Sequence, residues 1–198
     1  MQPEDIRGRK GNLFVISGPS GAGKGTLLER ALPQVQGAWN SISCTTRAPR
    51  GHEVDGREYH FMTEDAFIKL RDEGGLLEWA QVHDHFYGTP RRPAEEHIAA
   101  GYQVILEIDV QGAMQVRQSY PAACLIFIAP PSLEELERRL IGRGTETPDE
   151  VQVRLGNART EMGRRSEYDY VIVNDDITRA SDELVSLMEA RARGSEER

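Results

Sequence analysis

Little sulfur, little lysine and no long apolar run mark this 198-residue chain. Its only cysteines, Cys44 and Cys124, each sit in a stretch that reads as a buried strand, without metal-ligand spacing. That argues against a disulfide framework and a structural zinc site, and it points to a reducing, cytoplasmic setting. No segment reaches the ~20 apolar residues of a membrane span, and the opening MQPEDIRGRKG has no signal-peptide core, so neither membrane attachment nor export is expected. Positive charge is scarce too: 24 Lys plus Arg stand against 32 Asp plus Glu, a formal net charge of −8. Holding nucleic acid needs a basic surface, so that class of partner is not expected. Any anion must be met by a local cluster.

What is present is an ordinary globular composition, 38% hydrophobic and 28% charged. At this length it supports one sizeable core but not two comfortable domains. Apolar runs at 12–17, 103–109, 123–129 and 168–173 read as strands of a parallel sheet covered on both faces, and 40–44 as a shorter strand. Helices are expected over 24–32, 133–141, 148–163 and 177–192. Ser132 with Glu135, and Thr147 with Glu150, have capping-box spacing, the second with Pro148 at the first helical position. This alternation predicts an α/β fold of three layers, with a mainly parallel five-stranded central sheet and helices on both faces. Residues 45–100 break the rhythm with a turn-rich segment, a short helix near 64–73, the alternating LLEWAQV and a turn near His83 to His85. They read as an inserted lobe of mixed structure. The ends, 1–10 and 194–198, are polar and expected to fray.

Between the first strand and first helix lies Ser17-Gly-Pro-Ser-Gly-Ala-Gly-Lys-Gly-Thr26. The pattern G-x-x-x-x-G-K-[S/T] runs from Gly18 to Lys24, but its last place holds Gly25. Successive backbone N–H groups in such a loop, with the positive end of the following helix, cradle a polyphosphate. Gly18, Pro19, Ser20, Gly21, Ala22, Gly23, Lys24, Gly25 and Thr26 are therefore the candidate ATP loop, Lys24 reaching the terminal phosphates. A GTPase, a metabolic kinase and an ATPase motor share this loop. Asp109-Val-Gln-Gly112 imitates the GTPase D-x-x-G, but Lys10, Lys24 and Lys69 are the only lysines and none follows an asparagine, so the guanine-reading N-K-x-D is missing. Motor-type coupling elements are missing as well.

SISCTTRAPRGHEVDGREY from Ser41 to Tyr59, then LLEWAQV, FYGT, ILEIDVQG, IFIAPPS, RRLIGRGTET and VIVNDD, resemble guanylate kinases in order and over nearly the whole chain. The resemblance implies a P-loop fold in one domain, 11–193. Its core would be 11–44 and 101–193, its GMP-binding lobe about 45–100, and its lid about 139–157. It implies ATP-dependent phosphorylation of GMP and dGMP to the diphosphate, in purine metabolism and GMP recycling, with magnesium.

By the same resemblance the GMP phosphate would sit among Ser43, Arg47, Arg50, Tyr59 and Tyr87, since guanidinium groups and hydroxyls suit a dianion. Glu78 and Thr89 would read the base, although strand alternation alone leaves Glu78 open between a base reader and an outward-facing residue. Lys24, Arg47, Arg139, Arg143 and Arg154 would neutralise the transferring phosphoryl group, while Arg138, Arg164 and Arg165 read as solvated. Asp109 would touch the acceptor or contact magnesium through water, and Asn174 would lie near the donor adenine. The metal would have no direct protein ligand, being held by phosphates and waters.

Two positions depart from the family habit, Gly25 where serine is common and Glu107 where aspartate is. Two other readings of the scaffold stay open: a kinase for a ribose bisphosphate, and a guanylate-kinase-like module that grips phosphopeptides without catalysis. Oligomeric state is not legible.

Overall fold

The computed structural model describes residue 6, residues 8–142 and residues 147–194. Strand β1, Asn12–Ser17, lies at the centre of a sheet whose order is completed by β2, Ala38–Asn40, and β7, Gln103–Glu107, on one side, and β8, Cys124–Ala129, and β9, Tyr170–Val173, on the other. All four pairings are parallel. A second sheet, mixed in direction, has the order β4, His60–Phe61; β3, Cys44–Thr45; β6, His85–Pro90; β5, Leu76–Val82. The α/β architecture with a five-stranded parallel sheet is as expected from the alternation.

Side-chain alternation along β1 explains the three layers. Phe14 and Ile16 point to one face and pack with Leu27, Leu28 and Ala31 of α1, Lys24–Ala31, and with Ala180, Leu184 and Met188 of α7, Ile177–Ala192. Leu13 and Val15 point to the other face, where they join Ala94 of α3, Arg91–Ala99, and Val110, Ala113 and Val116 of α4, Val110–Ser119. A strand buried on both faces must be apolar throughout, and LFVI meets that demand. Each fully buried large side chain in this core contributes roughly 1.5–3 kcal/mol. The satellite clusters are smaller. Helices α5, Leu133–Gly142, and α6, Pro148–Gly163, pack on each other through Leu136, Leu140, Val151, Leu155 and Ala158. Cys44, Phe67 of α2, Glu64–Asp72, and Leu76 form the core of the second sheet.

Several expectations are corrected by the structure. The strand expected over 40–44 is two strands in different sheets: Asn40 ends β2 and Cys44 begins β3, so the chain passes from core to lobe within that segment. The strand expected to run to Asp109 stops at Glu107, and Asp109 instead caps α4, its Oδ1 accepting from the Gly112 N–H at 2.7 Å. Arg9 and Lys10 were expected to fray, yet Arg9 pairs with Glu189 at 2.9 Å and the Lys10 N–H donates to the Ala192 carbonyl at 2.9 Å. Helices α3 and α4 carry too few large apolar residues to show a helical period, since α3 buries only Ala94. Among the described residues no helix is long and apolar enough to cross a membrane.

One clamp ties the second sheet to the core. β5 is an edge strand, and the Gln115 side chain of α4 satisfies both backbone groups of Trp79, accepting at 3.0 Å and donating at 2.9 Å. Ser119 adds a bond to the Leu77 carbonyl at 2.6 Å. Gln115 thus acts as a strand neighbour one residue beyond Glu78. Replacing it by alanine leaves two part-buried backbone groups without their partner, and Gln115→Ala is expected to lower unfolding stability by about 1–3 kcal/mol in a denaturant titration. A value within error of zero would show that water replaces the amide without cost.

Candidate active site

The loop from Gly18 to Gly23 emerges from the C-terminal end of β1, where parallel sheets bind ligands. Gly18, Gly21 and Gly23 have φ of 140°, 90° and 87°, which L side chains rarely adopt. A Cβ on Gly18 would lie 2.2 Å from the Ile128 carbonyl oxygen, so the loop is pressed against the end of β8. Lys24 arches back over its own loop, Nζ donating to the Gly18 carbonyl at 2.6 Å and the Pro19 carbonyl at 3.2 Å. Asn174, just past β9, donates its amide to the Ala22 carbonyl at 2.8 Å. Arg139 reaches the same oxygen at 3.5 Å, the Asn174 carbonyl at 2.9 Å and Glu135 at 2.9 Å. From α6, Arg154 Nη1 donates to the Ser20 hydroxyl at 2.5 Å. Beside this loop opens a cavity of about 680 Å³ lined by Gly21, Gly23, Thr26, Arg139 and Asn174, a volume typical of small-ligand sites.

A smaller cavity of about 240 Å³ lies between the two sheets, lined by Asn40, Ser43, Tyr59, Thr89 and Glu107. Glu78 and Thr89 oppose each other across β5 and β6, and the Thr89 hydroxyl donates to Glu78 Oε1 at 2.6 Å. The register shifts between Leu76 and Glu78. Such a bulge re-aims side chains, and it lets Leu76, Leu77 and Glu78 all be buried in succession. Glu78 is 8% exposed, which excludes the outward-facing alternative. Burial pushes its carboxyl pKa up, the Thr89 bond opposes this, and the nearby Asp109 adds to it. Gly112 allows α4 to come close: a Cβ there would lie 3.1 Å from Glu78 Oε2.

Arg47, also buried, has its guanidinium held by both Glu53 oxygens at 2.9 and 3.0 Å and by the Ala48 carbonyl at 2.7 Å, with Tyr87 OH 3.3 Å from Nε. It lies over the Tyr59 ring at 5.5 Å. Arg50 is exposed, and its guanidinium makes no hydrogen bond to the described residues. Arg143 lies outside the described residues.

The fold therefore brings together the loop, Arg139, Arg154 and Asn174 on one side, and Ser43, Arg47, Tyr59, Glu78, Tyr87, Thr89 and Asp109 on the other. Sequence reasoning missed three members. Glu53 gives no signal beyond its place in a turn-rich stretch. Gln115 sits in a helix whose period is masked by small residues. Glu161 shares a helical face with Arg154 and Ala158, a spacing that could have revealed it; burial raises its pKa, Lys24 opposing and Asp109 adding, so it lies within electrostatic reach of both.

A family model described as guanylate kinase matches residues 10–191. The chain belongs to the guanylate kinase family. A guanylate kinase of Synechococcus sp. (strain CC9902) is 52% identical over 182 residues, 92% of this chain and 97% of that relative. One from Mycobacterium sp. (strain MCS) is 49% identical over 180 residues, covering 90% of this chain and 91% of that relative. The crystal structure of guanylate kinase from Anaplasma phagocytophilum aligns with a TM-score of 0.69 at 35% identity, over 93% of this chain and 87% of that one. The resemblance drawn from seven sequence stretches is thereby shown for the chain as a whole.

Within this guanylate kinase family loop, two glycines should respond oppositely. Gly18→Ala forces a methyl group against a carbonyl of buried β8, and ATP affinity measured by calorimetry is expected to fall about tenfold or more. At Gly25 the nearest neighbour of an added Cβ would be Glu107 Oε1 at 4.0 Å, so a side chain fits. Gly25→Ser should stabilise α1 by about 0.5 kcal/mol and leave ATP affinity unchanged or tighter. Weaker binding by the serine variant would mean that the bare backbone itself is required there.

Proposed function

We propose that this chain transfers the γ-phosphoryl group of ATP to the phosphate of GMP, giving ADP and GDP. The observation that carries the reading is the buried Glu78–Thr89 pair, whose Thr89 lines a cavity separate from the one beside the glycine-rich loop. Guanine offers N1–H and N2–H₂ donors to a carboxylate, and its O6 accepts from a hydroxyl. The Thr89 hydroxyl, now donating to Glu78, can turn to O6 once guanine supplies the carboxylate with donors. Adenine has no N1–H and would leave Glu78 buried and under-paired, an arrangement that discriminates by roughly 10⁴-fold or more.

The acceptor phosphate is assigned to Ser43, Arg47, Arg50, Tyr59 and Tyr87, and the donor to Gly18–Thr26 with Lys24. The acceptor oxygen is already an oxyanion, so no strong general base is needed and catalysis rests on alignment and charge stabilisation. Lys24 bonds the Gly18 and Pro19 carbonyls, Arg154 the Ser20 hydroxyl and Arg139 the Ala22 carbonyl, and Arg143 is assigned to the same charge cluster by family resemblance alone. Glu161 would hold Lys24 toward the phosphates.

Guanylate kinases use ATP with a divalent metal, and the donor set here fits one particular mode. The loop has no hydroxyl at Gly25, and Glu107 Oε1 is the nearest atom an added Cβ there would meet, at 4.0 Å. Such a set suits magnesium carried by nucleotide phosphates and waters, with Asp109 or Glu107 in the outer shell. When bound, the ion would supply positive charge that offsets the charge on the phosphates. The buried thiols Cys44 and Cys124, pushed up to about 11 and about 12 by burial, suit a reducing cytoplasmic setting.

A coupled assay offering GMP, dGMP, AMP, CMP, UMP and ribose phosphates with magnesium and ATP tests the reading. Turnover is expected with the guanine nucleotides only; equal use of a ribose phosphate without a base would overturn it. The Glu78 carboxyl supplies a second test. Its pKa lies above the ordinary 4.5 in the free protein, and guanine pairs only with the ionised form. GMP affinity should therefore be full above that raised pKa and fall, by up to tenfold per pH unit, as pH drops through it. Glu78→Gln should bind GMP weakly and lose that part of the pH dependence, leaving only the titration of the GMP phosphate near 6. An unchanged profile in the variant would remove Glu78 from the base site.

A further inference from the structure

We propose that Glu53 is a positioning residue for the acceptor phosphate: it occupies one edge of the Arg47 guanidinium and thereby presents the other edge to the ligand. The proposal rests on the reading of Arg47 as a phosphate anchor, and it follows from counting donors. A guanidinium has five N–H groups. Nη1 uses both of its own, on Glu53 Oε2 at 2.9 Å and on the Ala48 carbonyl at 2.7 Å, and Nη2 uses one on Glu53 Oε1 at 3.0 Å. The two that remain, on Nε and on Nη2, lie side by side on the same edge. Of these, Nε points to the Tyr87 hydroxyl at a loose 3.3 Å. One planar fork is thus left for a phosphate, next to a tyrosine hydroxyl that can bind the same anion.

The rest of the surroundings fix the plane of that fork. Arg47 lies over the rings of Tyr59 at 5.5 Å and Phe61 at 5.9 Å. Glu53 is itself anchored: its Oε2 accepts from the Arg50 backbone N–H at 2.7 Å, and its own N–H donates to the Arg50 carbonyl at 2.8 Å. Its pKa is held down at about 2, first by the Arg47 hydrogen bonds and then by the Arg50 N–H, so it stays a counter-charge across the working pH range. Glu53 is not a plug in the phosphate site, because it grips the end of the guanidinium and leaves the side edge open. The division of labour follows: Arg47 gives geometry with its charge already balanced, and exposed Arg50 brings further positive charge to the dianion.

The test compares GMP with guanosine, which has the base but no phosphate. Calorimetric affinities for both, with steady-state constants, are measured for Glu53→Ala, Glu53→Gln, Glu53→Asp and Arg47→Ala, alongside thermal melts. Expected for Glu53→Ala and Glu53→Gln are a GMP affinity about tenfold or more weaker, an unchanged guanosine affinity and an unchanged KM for ATP, with partial recovery in Glu53→Asp. If Glu53→Ala does not fold, the near-isosteric Glu53→Gln carries the comparison. Equal losses for GMP and guanosine would reduce Glu53 to a structural role. Tighter GMP binding would make it a competitor for Arg47, and no change would make it a bystander; each overturns the proposal. If Arg47→Ala also leaves GMP affinity intact, the failure lies in the reading of Arg47 as anchor.

Discussion

The end of strand β8 sets the shape of everything that meets phosphate in this molecule. All six residues of CLIFIA are buried, so its backbone cannot yield, and the loop after β1 must fold over it. Gly18 lies against the Ile128 carbonyl, and the Asn174 N–H bonds to the carbonyl of Ala129 at 2.8 Å. From there the Asn174 amide and Arg139 converge on Ala22, which joins β8, β9, the loop and α5 through one carbonyl oxygen. A loop built this way is ordered before any nucleotide arrives, and the entropy of fixing its glycines is borne by folding rather than by binding.

Hydrophobic content is divided unequally around that fixed point. The central sheet has large clusters on both faces, whereas the second sheet and the α5–α6 pair each rest on a few buried side chains. Segments with few buried contacts open at lower free energy than the core does. In the proposed reaction the acceptor site belongs to the softer second sheet, whereas the donor loop belongs to the rigid centre and is met by Arg139 and Arg154 from the softer α5–α6 pair. The Gln115 clamp and Leu77 limit how far the second sheet can depart from α4, and so keep Glu78 near Gly112 and Asp109. In the proposed reaction, closing two such parts over the nucleotides would exclude water from the transfer step.

How far the chain could be read in advance follows from the same physics. Strand β1, its loop and α1 stand in local pattern, because a strand buried on both faces is a solid apolar run and the glycines that follow have a definite spacing. Helices α6 and α7 are legible to the residue, α6 through Thr147, Pro148 and Glu150 at its start. Helix α4 is not, since it packs closely with glycine and alanine where a periodic pattern needs larger side chains. The segment 40–44, with Ile42 and Cys44 alternating with serines, reads as a strand, but nothing local says that it crosses between sheets. At Glu78 the period of two fails because a bulge resets it. Glu53 and Gln115 act through partners six and 36 residues away, and contacts of that kind leave no periodic trace.

Electrostatics explains why a chain of net charge −8 can serve two anionic nucleotides. Three of the arginines assigned to the proposed site are held by neighbours, Arg47 by Glu53, Arg139 by Glu135, and Arg154 by the Ser20 hydroxyl, while Arg50 is exposed. Pairing lowers the net positive charge of the site but fixes the direction of each remaining donor, and direction is what a phosphoryl transfer with little proton chemistry demands. Glu78 is the opposite case. Its carboxylate is buried with donors from Thr89 alone among the described residues and beside Asp109, so its ionised form is held at a cost. Under the proposed base site, a guanine ring would relieve that cost by supplying two N–H donors at once, whereas a base that lacks them would leave it in place. In the proposed function, selectivity at the acceptor site would come from a polar group kept short of partners, and speed at the donor site from polar groups already supplied with them.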